Sequence, residues 1–594
     1  MIGKIIAIEG NTIELQLEVD LKVQDNLINL HVIIESNGNK VVAEVLDIKN
    51  GIAILDLLGE IRNNIFLPGV IRKPSFSSAV RMVSKEELVL LIGNPDVTDR
   101  NYLYIGKSPL YKDFPVNVKL NDFFSNHFSI LGNTGSGKSC AVARIIQNMF
   151  YKPDGAPLNA SIFIFDAYGE YHTAFETMND HLANVNFKTY TTDLNPFLNV
   201  NKNQLRIPLW LLRVDDLALL LEATESSQLS IIEKTLKLVN VFSQSEENVE
   251  VARMKNDIIA RALLDILYSG KSPSQIRDQI IAVLSNFYTN NLNLESKIIQ
   301  PGYVRTLKQC FNIDANGKIN EIQLVTEFIK SFTNDGMELT TPDGTFTYTL
   351  RDLEKAMDFA LISEGILKSE KVFDYTNILR VRLHSLITGS YGVFFEVNDY
   401  ITQQDFITEL VTTKEGQKAQ LINFNIDYVD DRFAKVITKI FSRMIFEYAA
   451  TVEPRASMPF HIVLEEAHRY VQNDLDTKLL GYNIFDRITK EGRKYGVILG
   501  LISQRPSELS DTAISQCSNF LIFRMVHPKD LAYITDMVPN MVAETARKLK
   551  ILQPGTCVCF GNAFKVPVIV ALDMPNPKPE SSNTDIATRW FPVQ

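Results

Sequence analysis

The run Gly132-Asn133-Thr134-Gly135-Ser136-Gly137-Lys138-Ser139 fits the pattern G-x-x-x-x-G-K-[ST]. Its glycines let the backbone wrap a chain of phosphates, with N–H groups turned inward at a helix N-terminus. Lys138 is expected to reach the β- and γ-phosphates of ATP, and the Ser139 hydroxyl to ligate Mg2+. The expected nucleotide-binding stretch runs from Gly132 through Cys140. Far downstream, Phe460-His461-Ile462-Val463-Leu464-Glu465-Glu466 is an apolar run ending in two carboxylates. At the C-terminal edge of a doubly wound sheet such a pair sits beside the phosphate loop. Glu465 is expected to hold the hydration shell of the Mg2+. Glu466 is expected to act on the attacking water, as general base or orienting group.

Three further places carry chemistry. Ser503-Gln504-Arg505 closes the apolar run LGLIS. Gln504 is expected to sense the γ-phosphate or the attacking water; a helix cap or turn is the plainer reading. In Glu491-Gly492-Arg493-Lys494-Tyr495-Gly496, Arg493 is expected to face the next subunit's nucleotide and stabilise charge on the transferring phosphoryl group. Arg505 and Arg524 are alternatives, and a surface cation is the commonest fate of any arginine. Lys490, Arg493 and Lys494 could instead belong to a DNA-facing surface. Asp166 and Glu170, in Phe165-Asp166-Ala167-Tyr168-Gly169-Glu170-Tyr171, either orient the nucleotide or a neighbour's Arg493, or cap a strand end. His468 either couples nucleotide state to a nearby loop or is a plain helix-start histidine. Cys557 and Cys559 alternate along an apolar run with no second cysteine pair nearby, so they read as core thiols rather than zinc ligands.

These residues need a scaffold, and the hydrophobic pattern supplies one. NHFSIL precedes the glycine-rich turn and an amphipathic helix follows it. ASIFIFDAYGEY, AQLINFNI, PFHIVLEEAH, YGVILGLISQRP, NFLIFRM and TCVCFGNAFKVPVIVALDM read as strands, separated in part by helical runs such as RFAKVITKIFSRMIFEYAATV. That alternation predicts a parallel sheet with covering helices. Residues 1–105 are short Ile/Val-rich runs broken by Asn-Gly and Gly-Asn pairs, and predict a small β-barrel. This module carries more carboxylates than cations, which suits assembly or partner docking better than nucleic acid. Residues 106–204 and 401–572 are the two parts of the α/β core. Residues 205–400 have apolar positions at three- and four-residue spacing and predict a helical-bundle insertion. Residues 573–594 are a polar, proline-rich tail, either disordered or an arm that docks on a neighbouring subunit.

Composition narrows the class. The chain has 594 residues, 45% hydrophobic and 22% charged, which excludes a disordered or low-complexity protein. With 60 Lys+Arg against 70 Asp+Glu the net charge is −10, which argues against a surface wholly coated by DNA. A narrow basic channel stays open to it. No apolar run approaches the ~18 residues of a membrane span. The N-terminal stretch turns polar too soon for a secretory signal. Five cysteines make no disulfide framework at this length. A cytoplasmic, non-membrane protein is expected.

Taken in order, GNTGSGKS, FDAYGEY, LEEAH, EGRKYG and ISQRP resemble the HerA family of the HerA–FtsK ATPase superfamily, over most of the chain. The resemblance implies a RecA-like P-loop ATPase core with the helical insertion, preceded by the barrel. It implies a homohexameric ring with ATP at subunit interfaces, double-stranded DNA in the central pore, and a partner on the barrel face. In archaeal members that partner is a nuclease of DNA end resection. Many bacterial members are similar in size and resemble the ATPase halves of two-component anti-phage systems, whose effector is a Sir2-like NAD-consuming protein or a nuclease. The acidic, Ile/Asn/Lys-rich composition tilts the reading to that setting. One departure is Glu465, where generic P-loop ATPases often have Asp; the longer side chain can still hold a water on Mg2+. The expected function is a hexameric ATP-hydrolysing DNA translocase that assembles with and activates a separate effector. The alternatives are an ATP-dependent ring scaffold that gates an effector, a DNA end-resection motor in repair, and a secretion or conjugation motor. No nuclease motif stands out in the chain, and no basic or aromatic stripe marks pore contacts.

Overall fold

The computed structural model describes the chain apart from residues 19–26, 37, 94, 95, 97, 98, 153, 154, 179–181, 183, 196–201, 316, 335–345, 366–369, 473, 474, 539, 540, 542, 581–585, 587–589 and 591–594. The described residues form two compact units. One comprises Met1–Gln204, Ile407–Asp474 and Tyr482–Gln594; the other comprises Leu205–Phe406 with Leu475–Gly481.

The first unit opens with a barrel of β1 (Gly3–Glu9), β2 (Thr12–Leu17), β3 (His31–Ser36), β4 (Asn39–Lys49), β5 (Ile52–Arg62) and β7 (Ala79–Met82), with β6 (Ile65–Pro68) added on β5. Every pairing is antiparallel. The ring closes because β2 pairs with β5, Ile13 opposite Leu55, and β1 meets β7, Gly3 opposite Val80. Asn50 (φ 54°) and Gly51 (φ 80°) make the tight turn between β4 and β5, as the Asn-Gly pair predicts. Alternate residues Ile13, Leu15, Leu55 and Val80 point inward and are fully buried.

The same unit continues into a twelve-stranded sheet. Its first strands are β8 (Tyr102–Ser108), β9 (Phe114–Lys119), β10 (Phe128–Leu131), β11 (Ile162–Asp166), β12 (Phe187–Thr191) and β13 (Asn203–Gln204). The chain then enters the second unit. Helices Ser226–Phe242, Val249–Leu267, Pro273–Asn286 and Leu350–Gly365 follow the helical expectation. A hairpin of β14 (Lys297–Gln300) and β15 (Tyr303–Thr306) interrupts them, turning at Gly302 (φ 92°). It escapes a period-based reading because four-residue strands are too short to show alternation. The chain returns with β16 (Leu421–Asn425), β17 (Phe460–Leu464), β18 (Val497–Ser503), β19 (Asn519–Phe523), β20 (Thr556–Gly561) and β21 (Phe564–Ala571).

Spatial order in the large sheet is β13-β12-β16-β11-β17-β18-β10-β19-β20-β21-β8-β9. From β13 to β19 the strands run parallel, so their C-terminal ends share one edge; from β19 to β9 they alternate. Strands such as FSIL, IFIFD and LINFN are buried at every position, because helices cover both faces of a parallel sheet. β18 lies between β10 and β17, so the acidic strand is the second neighbour of the phosphate-loop strand. Cys557 and Cys559 are buried free thiols on β20, their Sγ atoms 3.4 Å apart. The tail is described to Glu580; beyond it, most of the expected arm lies outside the described residues. No helix among the described residues is long and apolar enough to cross a membrane.

Candidate active site

The glycine-rich turn leaves β10 and enters the helix Lys138–Phe150. Gly135 (φ 71°) and Gly137 (φ 105°) adopt left-handed backbone that frees the turn to curl. Gly132 is required for another reason. A Cβ there would stand 2.6 Å from Cβ of Phe523 on β19 and 2.8 Å from Ser136 Oγ. The turn borders a cavity of about 500 Å³ lined by Thr134, Gly135, Gly137, Lys138, Ser139, Cys140, Tyr168, Glu170, Glu465, Glu466 and Gln504, with Ile502 behind them. Parallel topology explains the convergence: β10, β11, β17 and β18 all deliver their C-terminal ends to this edge.

A hydrogen-bonded network holds these groups. Lys138 Nζ donates to the Asn133 carbonyl at 3.0 Å. Ser139 Oγ donates to Glu465 Oε1 at 3.2 Å, and Tyr171 Oη donates to the same oxygen at 3.3 Å. Thr134 Oγ1 donates to Gln504 Oε1, and Gln504 Nε2 donates to Glu466 Oε1 at 3.1 Å. Glu466 is held at φ 48°, a left-handed conformation uncommon for a side-chain-bearing residue and typical of functional turns. His468 Nδ1 lies 3.1 Å from Ser503 Oγ and 3.3 Å from Glu466 Oε2.

The electrostatics set three carboxyl groups around one ammonium. Burial, and then the charges of Asp166, Glu170 and Glu466, push the Glu465 carboxyl well above the usual range. Burial raises Glu466 and Glu170 as well, and lowers the Lys138 ammonium against the pull of Glu466, Glu465 and Glu170. Burial lowers His468 to about 4, so its ring is neutral near pH 7. Oε2 of Glu170 and of Glu465 are buried without hydrogen-bond partners, and Oε2 of Glu466 has only the His468 ring beside it. Carboxylate oxygens in that state suit a hydrated divalent cation. Among the described residues no three His, Cys, Asp or Glu form a closed cage. Mg2+ needs only one or two protein oxygens, completed by phosphates and water, and Ser139 Oγ and Glu465 Oε1, 3.2 Å apart, fit that need.

The remaining predicted residues divide. Asp166 accepts from the backbone N–H of Glu170 and of Tyr171, each at 3.0 Å, and from Asn423 Nδ2 at 3.2 Å. It caps the turn after β11, while Glu170 lines the cavity. Arg505 pairs with Glu508 at 3.0 Å and borders an adjoining cavity that shares Thr134 and Gln504. Arg524 meets the phosphate loop through its carbonyl, which accepts from Asn133 N at 2.9 Å. Arg493 is not brought to this cavity. It is exposed near the C-terminal end of the helix Ile484–Tyr495, which leads into the N-terminal end of β18. The seven residues of β18 put that end roughly 20 Å from the edge where Gln504 sits. Sequence reasoning missed Tyr168 and Tyr171 as site residues. The signal for Tyr168 was an aromatic between two acids in a turn; Tyr171 carried none.

A family model described as "Helicase HerA, central domain" matches residues 103–324, which include the phosphate loop. The chain is 23% identical over 531 residues to the DNA double-strand break repair helicase HerA of Pyrococcus furiosus, covering 88% of this chain and 77% of that one. It is 22% identical over 574 residues to the protein of the same name from Saccharolobus solfataricus, covering 94% and 85%. The chain is a HerA-like ATPase. It is similar to the HerA helicases over most of its length, and its fold is the expected α/β P-loop core with a helical insertion and an N-terminal barrel. Among solved structures, this HerA-like ATPase is similar to the bacterial conjugative coupling protein TrwBdeltaN70, with 10% identity, coverage of 84% and 94%, and a TM-score of 0.43.

Proposed function

We propose that the chain is the subunit of a homohexameric cytoplasmic motor that hydrolyses ATP to translocate double-stranded DNA. In this reading it activates a separate effector, a nuclease or Sir2-like NAD-consuming enzyme, in anti-phage defence. The observation that carries the motor reading is the convergence of Lys138, Ser139, Glu465, Glu466 and Gln504 on one cavity. The relatives' printed names, DNA double-strand break repair helicases, support DNA as the track.

The residues divide the work as follows. The phosphate-loop backbone and Lys138 bind the β- and γ-phosphates and hold them against Gln504. Ser139 and Glu465 hold Mg2+, which supplies charge neutralisation of the phosphates when bound. Glu466 Oε1 is committed to Gln504, so Oε2, which has only the His468 ring beside it, is the acceptor left for the attacking water. Arg493 acts in trans: exposed and far from its own cavity, it can reach only a phosphate held by a neighbouring subunit. The barrel docks the effector. Exposed Ile65 and Leu67 on β6, with Ile71 and Phe76 beyond it, support a docking face there.

Steady-state ATP turnover with and without linear duplex DNA, measured alongside mass in solution, tests the reading. A ring-sized particle whose turnover rises with DNA is expected. A ring-sized particle indifferent to DNA would overturn the motor in favour of an ATP-assembled scaffold.

A further inference from the structure

The polypeptide turns sharply after β17. Glu466 stands at φ 48°, and the short helical turn Ala467–Arg469 follows it at once. That turn carries His468 back toward the C-terminal end of the neighbouring strand β18, where its side chain is buried. The turn is tied down from behind, because the His468 carbonyl accepts from Gln472 Nε2. Nδ1 of the ring lies 3.1 Å from Ser503 Oγ and 3.3 Å from Glu466 Oε2.

These two neighbours decide which nitrogen carries the proton. Burial keeps the ring neutral near pH 7, so it holds one proton. A bare Nδ1 would aim its lone pair at a carboxylate oxygen, which is repulsive. The proton therefore belongs on Nδ1, shared between Ser503 Oγ and Glu466 Oε2. Ser503 is fully buried, is the last residue of β18, and its Oγ also accepts from Arg505 N at 3.0 Å. The ring is thus moored to the end of a central strand.

The Glu466 carboxylate is held on both sides as a result. Gln504 Nε2 donates to Oε1 at 3.1 Å, and His468 Nδ1 faces Oε2. Gln504 follows Ser503 directly, so both holds are anchored at the same strand end. The terminal torsion of a glutamate is broad when nothing restrains it. Two donors fixed to one strand remove that freedom and give the lone pairs of Oε2 one direction.

We infer that His468 is a positioning residue for ATP hydrolysis: its Nδ1–H fixes the Oε2 edge of Glu466 against Ser503, so that the carboxylate presents one lone pair to the attacking water. The inference rests on the reading of Glu466 as the water-activating group. His468 acts through Glu466 and carries no proton of the reaction itself.

The test is kcat for phosphate release by the full chain at saturating Mg·ATP, with affinity for a fluorescent ATP analogue measured alongside. His468→Ala should lower kcat roughly ten- to hundred-fold. Affinity should stay within about threefold, because the lost contact serves the transition state. An asparagine amide can place its nitrogen where Nδ1 stands, whereas a glutamine amide reaches toward Nε2. His468→Asn should therefore restore most of kcat, and His468→Gln should not. Ser503→Ala should cost less than His468→Ala, and adding it to His468→Ala should cost little more, since both act on one contact. If Glu466→Gln loses turnover while His468→Ala keeps kcat within about twofold, the positioning role is wrong and the reading of Glu466 stands. If Glu466→Gln keeps the parental kcat, both fail. Equal rescue by Asn and Gln, or loss of analogue binding in step with kcat, would mark a merely structural histidine and overturn the inference. Should His468→Ala not fold, the comparison of His468→Asn with His468→Gln decides alone.

Discussion

Replacing Glu466 by Gln changes one acceptor into a donor at a position the structure fixes. Thr134 Oγ1 donates to Gln504 Oε1, which forces Gln504 Nε2 toward residue 466. In the variant the new amide must turn its oxygen to Gln504, and its NH2 group takes the place of Oε2. The attacking water then meets a donor where it needs an acceptor. General-base assistance contributes on the order of 10²–10⁴ in rate, so kcat should fall by about that factor. Binding should survive or tighten, because the change removes one of the three carboxylates lining the cavity. The left-handed backbone at φ 48° is the same for either residue, so melting should move little. Phosphate release at saturating Mg·ATP, paired with binding of a fluorescent analogue, separates the two effects. A variant that binds normally and keeps kcat within tenfold of the parent would refute Glu466 as the water-activating group.

Three further outcomes are expected. The pH profile of kcat/KM reports the free protein: burial raises Glu466, so the acid limb should lie above an ordinary carboxylate, and burial lowers Lys138, so the alkaline limb should lie below an ordinary lysine; an acid limb at or below about 4.5 would contradict this. Arg493→Ala should bind ATP and turn it over poorly, and mixing it with Glu466→Gln subunits should recover turnover at mixed interfaces; no recovery in rings shown to be mixed counts against the trans role. Lys548 pairs with Glu44 of the barrel at 2.7 Å, both nearly buried, so Lys548→Met should destabilise by about 3 kcal/mol through the orphaned carboxylate, and adding Glu44→Leu should recover most of it in thermal melts.

Much of the cavity-lining edge was legible because parallel strands carry their signal locally. Each apolar run ends where a polar residue is wanted, and topology then gathers those ends without further instruction. The places of Glu465, Glu466 and Gln504 on the cavity wall were readable for that reason, and those of Lys138 and Ser139 from the glycine-rich run. Asp166 was ambiguous because a strand-end acid can cap or bind; it accepts two backbone N–H groups of the turn that follows, and its charge also reaches Glu465. The insertion of β18 between β10 and β17 was not readable, since strand order is set by long-range pairing rather than by pattern. Gln147 was invisible altogether: a lone amide on an amphipathic helix reads as surface until the segment at Asn576, more than 400 residues away, is laid across it.

β10 sits between β18 and β19, and Ser129 bonds to Leu501 across 372 residues. On the ribosome this is a long wait. The barrel strands are complete by Met82 and can close early. The strand that carries the phosphate loop emerges soon after with both edges open, and its neighbours follow only when most of the chain has been made. At synthesis rates of ~5–20 residues per second that interval is roughly 20–75 s. A nascent or prematurely terminated chain can thus present a finished barrel with no nucleotide cavity beneath it. Until then FSIL, the apolar segment from which the phosphate loop springs, is left without either of its sheet neighbours.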